Sequence, residues 1–298
     1  MVGGGITALE IVEGLASHGV KVHYFLRGDR YRGNVLDETE SKIVEHKLIE
    51  EGVQIHYHTE VEEILGKTGG FLGRGEKRVS GVLTTNGETV PCEMVAVAIG
   101  IVPRTALAKQ IGLEIDRGIL VSEYLESSVP GIYAAGDVAQ VLDPVTGKRI
   151  IDSLWGPARD QGWAAGMNMA GTPTAYRKAM PFNVTRLAGL TTTIIGTVGG
   201  SAPDEDTLGI VRGDSEGWRE IPDAIASQSD FDVNRIRVLV GEKTLLGAII
   251  MGDQTLSAPI HRLVAEQVDI SSIRSHLLQP DIPVGDVIAG FWKQRNGN

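Results

Sequence analysis

Gly3, Gly5 and Ala8 stand in a G-x-G-x-x-A spacing, Val2-Gly3-Gly4-Gly5-Ile6-Thr7-Ala8, at the entry to an amphipathic run from Leu9 to His18. Glycines so spaced let the backbone turn tightly and bring N–H groups against a diphosphate, with a helix N-terminus behind them. A glycine triplet alone is equally a plain turn. The context favours a nucleotide, because Gly19 stops the helix and a strand-like Lys21–Leu26 follows, completing the αβ part of a βαβ unit. The end of that strand chooses between nucleotides. An acid there binds a free ribose 2'-hydroxyl, but the position holds Leu26 followed by Arg27, with Arg30 and Arg32 close behind. A guanidinium suits a 2'-phosphate, and the alternative is a solvated surface arginine. The histidines show no HExxH or comparable ligand spacing, so no metal site is expected.

The elements that position these residues follow from periodicity. A second helix is predicted over Thr39–Glu51, then a strand over Val53–His58. Strands are predicted at Val79–Thr85 and Met94–Ile99, joined by the turn Asn86-Gly87. A helix opening at Trp155-Gly156-Pro157 runs to about Ala170. Beyond Pro181 the pattern turns to strands, at Asn183–Leu187, Thr191–Val198, Arg235–Val240 and Leu245–Met251, and then a helix over Leu256–Glu266. Ser201–Ser229 is polar and irregular and reads as a long loop. The 298 residues, 42% hydrophobic and 22% charged, suffice for several domains. With 38 acidic against 28 basic residues the net charge is -10, the wrong sign for a nucleic-acid partner. The single Cys92 excludes an intrachain disulfide, and no apolar stretch is long enough to span a bilayer. A cytoplasmic protein with no membrane partner is expected.

Three stretches in this order resemble the pyridine nucleotide-disulfide oxidoreductases and their relatives. They are Gly3 to Glu10, Ala98-Ile99-Gly100-Ile101-Val102-Pro103-Arg104, and Ser127 to Asp137, with Ser127 where threonine is usual. The resemblance implies an α/β fold: a Rossmann-like nicotinamide-binding domain over 1–103, the second half of an FAD-binding domain over 104–178, and an α+β C-terminal interface domain over 179–298. It implies FAD and NAD(P) as cofactors. Gly3, Gly5, Ala8, Arg27 and Gly100 would serve the nicotinamide nucleotide, and Glu10 would lie near the nicotinamide as the catalytic candidate. Gly136 and Asp137 would end an apolar strand, Ile132–Ala135, against the flavin's ribityl chain. Ala158 would offer a backbone amide to the isoalloxazine from the start of its helix. The C-terminal part is similar to the branch containing NADH oxidases, rubredoxin reductases and the nitrite reductase large subunit, where this domain often forms homodimers.

The resemblance also implies parts that this sequence does not display. Only Met1 and Val2 precede the glycine turn, where a central strand of about 5 to 6 residues is the norm. The first FAD half, with its own glycine motif, would lie upstream. His261 and Glu266 lack the Pro-Thr of a catalytic histidine motif and do not share a helix face, so they read as structural. The expected activity is hydride transfer from NAD(P)H to flavin and on to an unidentified small molecule or redox protein. The alternative is a truncated, non-catalytic nucleotide-binding or dimerisation module.

Overall fold

A computed structural model describes residues 1–68, 76–143, 147–196, 198, 224–229, 234–279 and 282–297. After the glycine turn comes α1 (Ile6–Ser17), whose Ala8, Leu9 and Val12 are buried along one stripe. Gly19, at φ +73, ends it. Then come β1 (His23–Phe25), α2 (Glu38–Glu50) and β2 (Gln54–His56), the two strands parallel. Helix α2 starts where it does because Asp37 and Glu40 form a reciprocal capping box. Leu9, Val12, Tyr24, Val44 and Leu48 are fully enclosed between α1, α2 and the strands. Each such apolar side chain contributes about 1.5–3 kcal/mol of transfer free energy.

The middle of this sheet is a single residue. Val2 bridges Phe25 on one side and Val97 on the other, with Val2 N donating to Ala96 O and Ala98 N to Val2 O, both at 2.9 Å. The strand predicted at Met94–Ile99 is therefore reduced to a bridge: Val2 is its only ladder partner among the described residues. Val97 and Ile99 stay 54% and 64% exposed. The Asn86-Gly87 turn joins different strands from those expected. It connects β4 (Lys77–Thr84) to β5 (Thr89–Pro91), and β4 also pairs with β3 (Val61–Thr68). Strand β3 escapes sequence reading because it is mostly exposed, with too little apolar alternation to give a period of two.

Next come α3 (Ala106–Gln110), β6 (Ile119–Leu120), β7 (Ala139–Leu142), β8 (Arg149–Ile150) and α4 (Trp155–Met169) around Leu125, Val141, Ile150 and Ala164. The apolar run Ile132–Ala135 forms no strand. It is extended, held by a Glu126–Tyr133 bridge and by Ala134 N on Leu125 O, with Ala134 buried and its neighbours half-buried. The last part is a five-stranded antiparallel sheet in the order β11-β12-β13-β10-β9. Its strands are β9 (Phe182–Leu187), β10 (Leu190–Gly196), β11 (Ala224–Ser229), β12 (Arg235–Val240) and β13 (Leu245–Met251). Helices α5 (Ser257–Ala265), α6 (Ser271–Leu277) and α7 (Val284–Asn296) complete it. The expected loop over Ser201–Ser229 ends instead in β11, which pairs with β12 along its full length; residues 201–223 lie outside the described residues. No helix among the described residues is long and apolar enough to cross a membrane.

Three contacts fasten the sheet to the start of α2 and to α1. Arg237 donates to Glu40 Oε1 at 2.8 Å and Oε2 at 3.0 Å, and Arg235 pairs with Asp37. Glu13 on α1 accepts from the Gly189 amide at 2.7 Å, in the turn between β9 and β10.

One pair beside the first sheet responds to pH. His23 Nδ1 lies 3.0 Å from His56 Nε2, and burial, the His56 ring and the chain's amino group hold the His23 imidazole below its ordinary pKa, with Glu88 opposing them. A base whose folded pKa is lowered binds fewer protons folded than unfolded. Its contribution is complete above the unfolded pKa, about 6.5, and is lost as pH falls below that value. Melting temperatures of His23→Gln between neutral and mildly acid pH should fall less steeply than those of the unaltered protein. Parallel slopes would remove His23 as the cause.

Candidate functional site

The glycine turn is shaped first by packing. Gly3 has φ +129, and a Cβ there would fall 2.1 Å from Ala98 O, so the turn lies directly on the segment pairing with Val2. Ala8 is fully buried and its methyl carbon faces the same place, 3.6 Å from that Cβ position. Its small size lets α1 sit close to the strands. Gly5 caps α1 in an extended conformation, with no side-chain cap and no acid in the first turn. Leu9 is the first amide in the helical ladder, bonded to Gly5 O at 3.1 Å. The amides of Ile6, Thr7 and Ala8 therefore precede it, forming a positive, unblocked end suited to an anion.

The flanking residues fall into two groups. Gly100, at φ +113, and Arg27 are exposed, and Arg27 has no hydrogen-bond or ion-pair partner among the described residues. Arg30 is already engaged by Asp29 and by Gly33 O, and Arg32 is buried facing a different cavity, so neither joins Arg27 as expected. Glu10 is exposed in the second turn of α1. It lines a shallow groove with Glu13, Glu51 and Arg186, facing the β9–β10 hairpin.

A second constellation lies around Gly136. Residues Gly136–Val138 form a 3-10 turn with Gly136 at φ +74, and the Gly136 amide donates to Gln161 Oε1 at 2.8 Å. Gln161 is fully buried on α4, and sequence reasoning missed it: its one signal is a polar residue at the core position four beyond Pro157. Asp137 is exposed, and its carboxylate has no hydrogen-bond or ion-pair partner among the described residues. Helix α4 resembles α1 in its start, with Leu154 as a cap that offers no side-chain bond and no acid in the first turn. The Ala158 amide is not the open one. It donates to Leu154 O at 3.0 Å as the first rung of the ladder, and Pro157 has no N–H, so the free amides belong to Trp155 and Gly156. Ala158 instead presents its methyl group towards Gly136, where an added Cβ would meet it at 3.5 Å.

The profile of the family described as pyridine nucleotide-disulphide oxidoreductase matches residues 1–162, a span containing both constellations and ending just beyond Gln161. The chain belongs to this family. Among the pyridine nucleotide-disulphide oxidoreductases and similar proteins, it is 34% identical over 188 residues to an NAD(P)H coenzyme A polysulfide/persulfide reductase of Pyrococcus horikoshii. That match covers 62% of this chain and 40% of the relative. The nitrite reductase [NAD(P)H] of Bacillus subtilis is 23% identical over 282 residues, covering 94% of this chain and 31% of the relative. The chain thus spans about two fifths or less of the length of these relatives. An NAD-dependent persulfide reductase from A. fulgidus shares the fold, with a TM-score of 0.72 at 24% identity, covering 99% of this chain and 55% of that one. The mixed α/β, Rossmann-like architecture is that of these reductases.

Proposed function

We propose that the protein is a flavin-dependent NAD(P)H oxidoreductase. In this reading residues 1–103 hold the nicotinamide nucleotide, 104–178 hold the ribityl and isoalloxazine side of FAD, and 179–298 form an interface domain in a cytoplasmic homodimer. One observation carries it: two helix starts, α1 and α4, each lack a side-chain cap and an acid in the first turn, α1 following the positive-φ Gly3 in its own motif and α4 packing through Ala158 against the positive-φ Gly136. Such ends stabilise phosphate and developing negative charge. When bound, FAD supplies acceptance of a hydride from NAD(P)H and delivery of electrons to a small-molecule or protein acceptor.

The chain's own residues bind and orient. Gly3 and Gly5 let the backbone approach a diphosphate, which the amides of Ile6, Thr7 and Ala8 would meet. Gly100 keeps the crossover free of a side chain. Arg27, exposed and without a partner among the described residues, takes the 2'-phosphate, and Asp137 accepts from ribityl hydroxyls, its backbone held by the Gln161 bond to Gly136. Trp155 and Gly156 offer the amides facing the ring. Glu10 serves the nicotinamide end.

Two measurements test this reading. Arg27→Ala should weaken NADPH binding about 10- to 100-fold, the worth of one charge-assisted hydrogen bond, and leave NADH nearly unchanged. Tighter NADH than NADPH binding, indifferent to Arg27→Ala, would remove the 2'-phosphate role. Glu10→Gln should slow the bleaching of the flavin band by NAD(P)H without moving the melting temperature. The converse pattern would reduce Glu10 to a helix residue.

A further inference from the structure

His23 and His56 stand 33 positions apart, so no local spacing joins them, yet the fold sets their rings side by side. Strands β1 and β2 run parallel, with His23 opposite Gln54 and Phe25 opposite His56. Side chains two positions apart on a strand share a face, so His23, Phe25 and His56 all project from the same side of the sheet. There His23 Nδ1 comes 3.0 Å from His56 Nε2, with the ring centroids 5.3 Å apart. The His56 ring is stacked on Phe25 at 4.7 Å, which fixes its plane. Both imidazoles are half-buried, and His23 lines a cavity of about 1140 Å3 bounded also by Phe25, Val82 of β4 and Val90 of β5. Neither ring is sealed from solvent.

We propose that His23 Nδ1 and His56 Nε2 chelate a divalent first-row transition metal, copper or nickel in preference to zinc. Neutral imidazole is a good ligand for all three, so the choice falls to geometry. With metal–nitrogen bonds of about 2.0–2.1 Å, a nitrogen separation of 3.0 Å subtends roughly 90–100° at the metal. Neighbouring corners of the square-planar or tetragonal sets that copper and nickel adopt lie at that angle, whereas a tetrahedral zinc needs the rings to part. No group of three His, Cys, Asp or Glu side chains suited to a metal occurs among the described residues, so water completes the set and the ion exchanges readily. Without the ion, one ring donates its N–H to the other. The metal replaces that bond with two, and the proton moves to the far nitrogen of its own ring. Neither histidine belongs to the residues assigned to FAD or NAD(P), so the site stands apart from that reading.

The test titrates the tag-free full chain, first stripped by a chelator, with copper, nickel and zinc ions by calorimetry, with melting temperatures in parallel. The tightest copper and nickel site should fill at one ion per chain, and nickel should bind more tightly than zinc. Both should raise the melting temperature, because the ion clamps β1 to β2 only in the folded chain. His23→Gln and His56→Gln should each weaken nickel binding at least about tenfold, the least that loss of a ligand's supporting bond costs, and remove the thermal shift. His46→Gln, which alters an exposed histidine beside Glu50 on α2, should change neither. Electron paramagnetic resonance of the one-to-one copper complex should show two imidazole nitrogens, a readout that needs no variant to fold. The proposal is overturned if no site of one ion per chain is found, if zinc binds more tightly than nickel, or if copper shows fewer than two imidazole nitrogens. It is equally overturned if the folded His23 and His56 variants bind as the unaltered protein does, or if His46→Gln weakens binding as much as they do.

Discussion

Arg237→Ala is expected to lower the stability of the protein by about 3–5 kcal/mol, because it takes the hydrogen-bonded counter-charge from the fully buried Glu40 carboxylate and leaves only Arg235, at 3.7 Å, beside it. The guanidinium makes four bonds: two to Glu40, one to Val35 O at 2.8 Å and one to Val198 O at 3.0 Å. Losing it strands two buried carbonyls as well as the carboxylate. The Arg237→Met, Glu40→Gln double variant should recover a large part of the loss. Glutamine retains a side-chain oxygen able to reach the Asp37 amide and so keeps the capping box, while the uncompensated charge disappears. Urea denaturation of the two single variants and the double variant gives the coupling energy, and additive losses would show that the pair does not act as a unit.

The same junction shapes the acid limb of stability. Burial by itself pushes the Asp37 carboxyl up, but the Glu40 amide and the Arg235 and Arg237 guanidinium groups outweigh it and hold the carboxyl below the usual range. A depressed carboxylate contributes its full stability above the unfolded pKa, about 3.9. That contribution is lost as pH falls through the folded value.

Gly3→Ala is the second change expected to be severe. The backbone at φ +129 costs an L-residue about 1–3 kcal/mol, and the new Cβ would overlap Ala98 O at 2.1 Å, so a total on the order of 4 kcal/mol is expected. The turn must open to relieve the overlap, which also moves the amides of Ile6, Thr7 and Ala8. Nucleotide affinity should therefore fall along with stability. Gly136→Ala is the control. Its φ of +74 carries a penalty of about 1–2 kcal/mol, but its Cβ would meet Ala158 at an ordinary 3.5 Å. Equal losses in the two variants, by thermal or urea denaturation, would show that the Ala98 contact does not decide the Gly3 position.

These expectations mark where sequence and structure part. The turn Gly3–Gly5, helices α1, α2 and α4, and strands β12 and β13 were legible in the sequence, since each rests on a local signal: a glycine spacing, a cap such as Asp37 with Glu40, or a sustained apolar period. Arg27 and Asp137, both exposed, are proposed from motifs that fix their place without reference to distant partners. Tertiary structure alone decided the rest. Met94–Ile99 and Ile132–Ala135 have strand-like composition, but a strand exists only where a neighbour completes its ladder, and here each has a single bridge. Ala158 lost its free amide to the first helical rung, which depends on a boundary that periodicity places only to within a few residues. Gln161 and Arg237 carry ordinary polar side chains whose roles come from what folding sets against them. Arg237 and Glu40 are 197 positions apart, and no local pattern encodes a pairing whose free energy exists only once both charges have left water together.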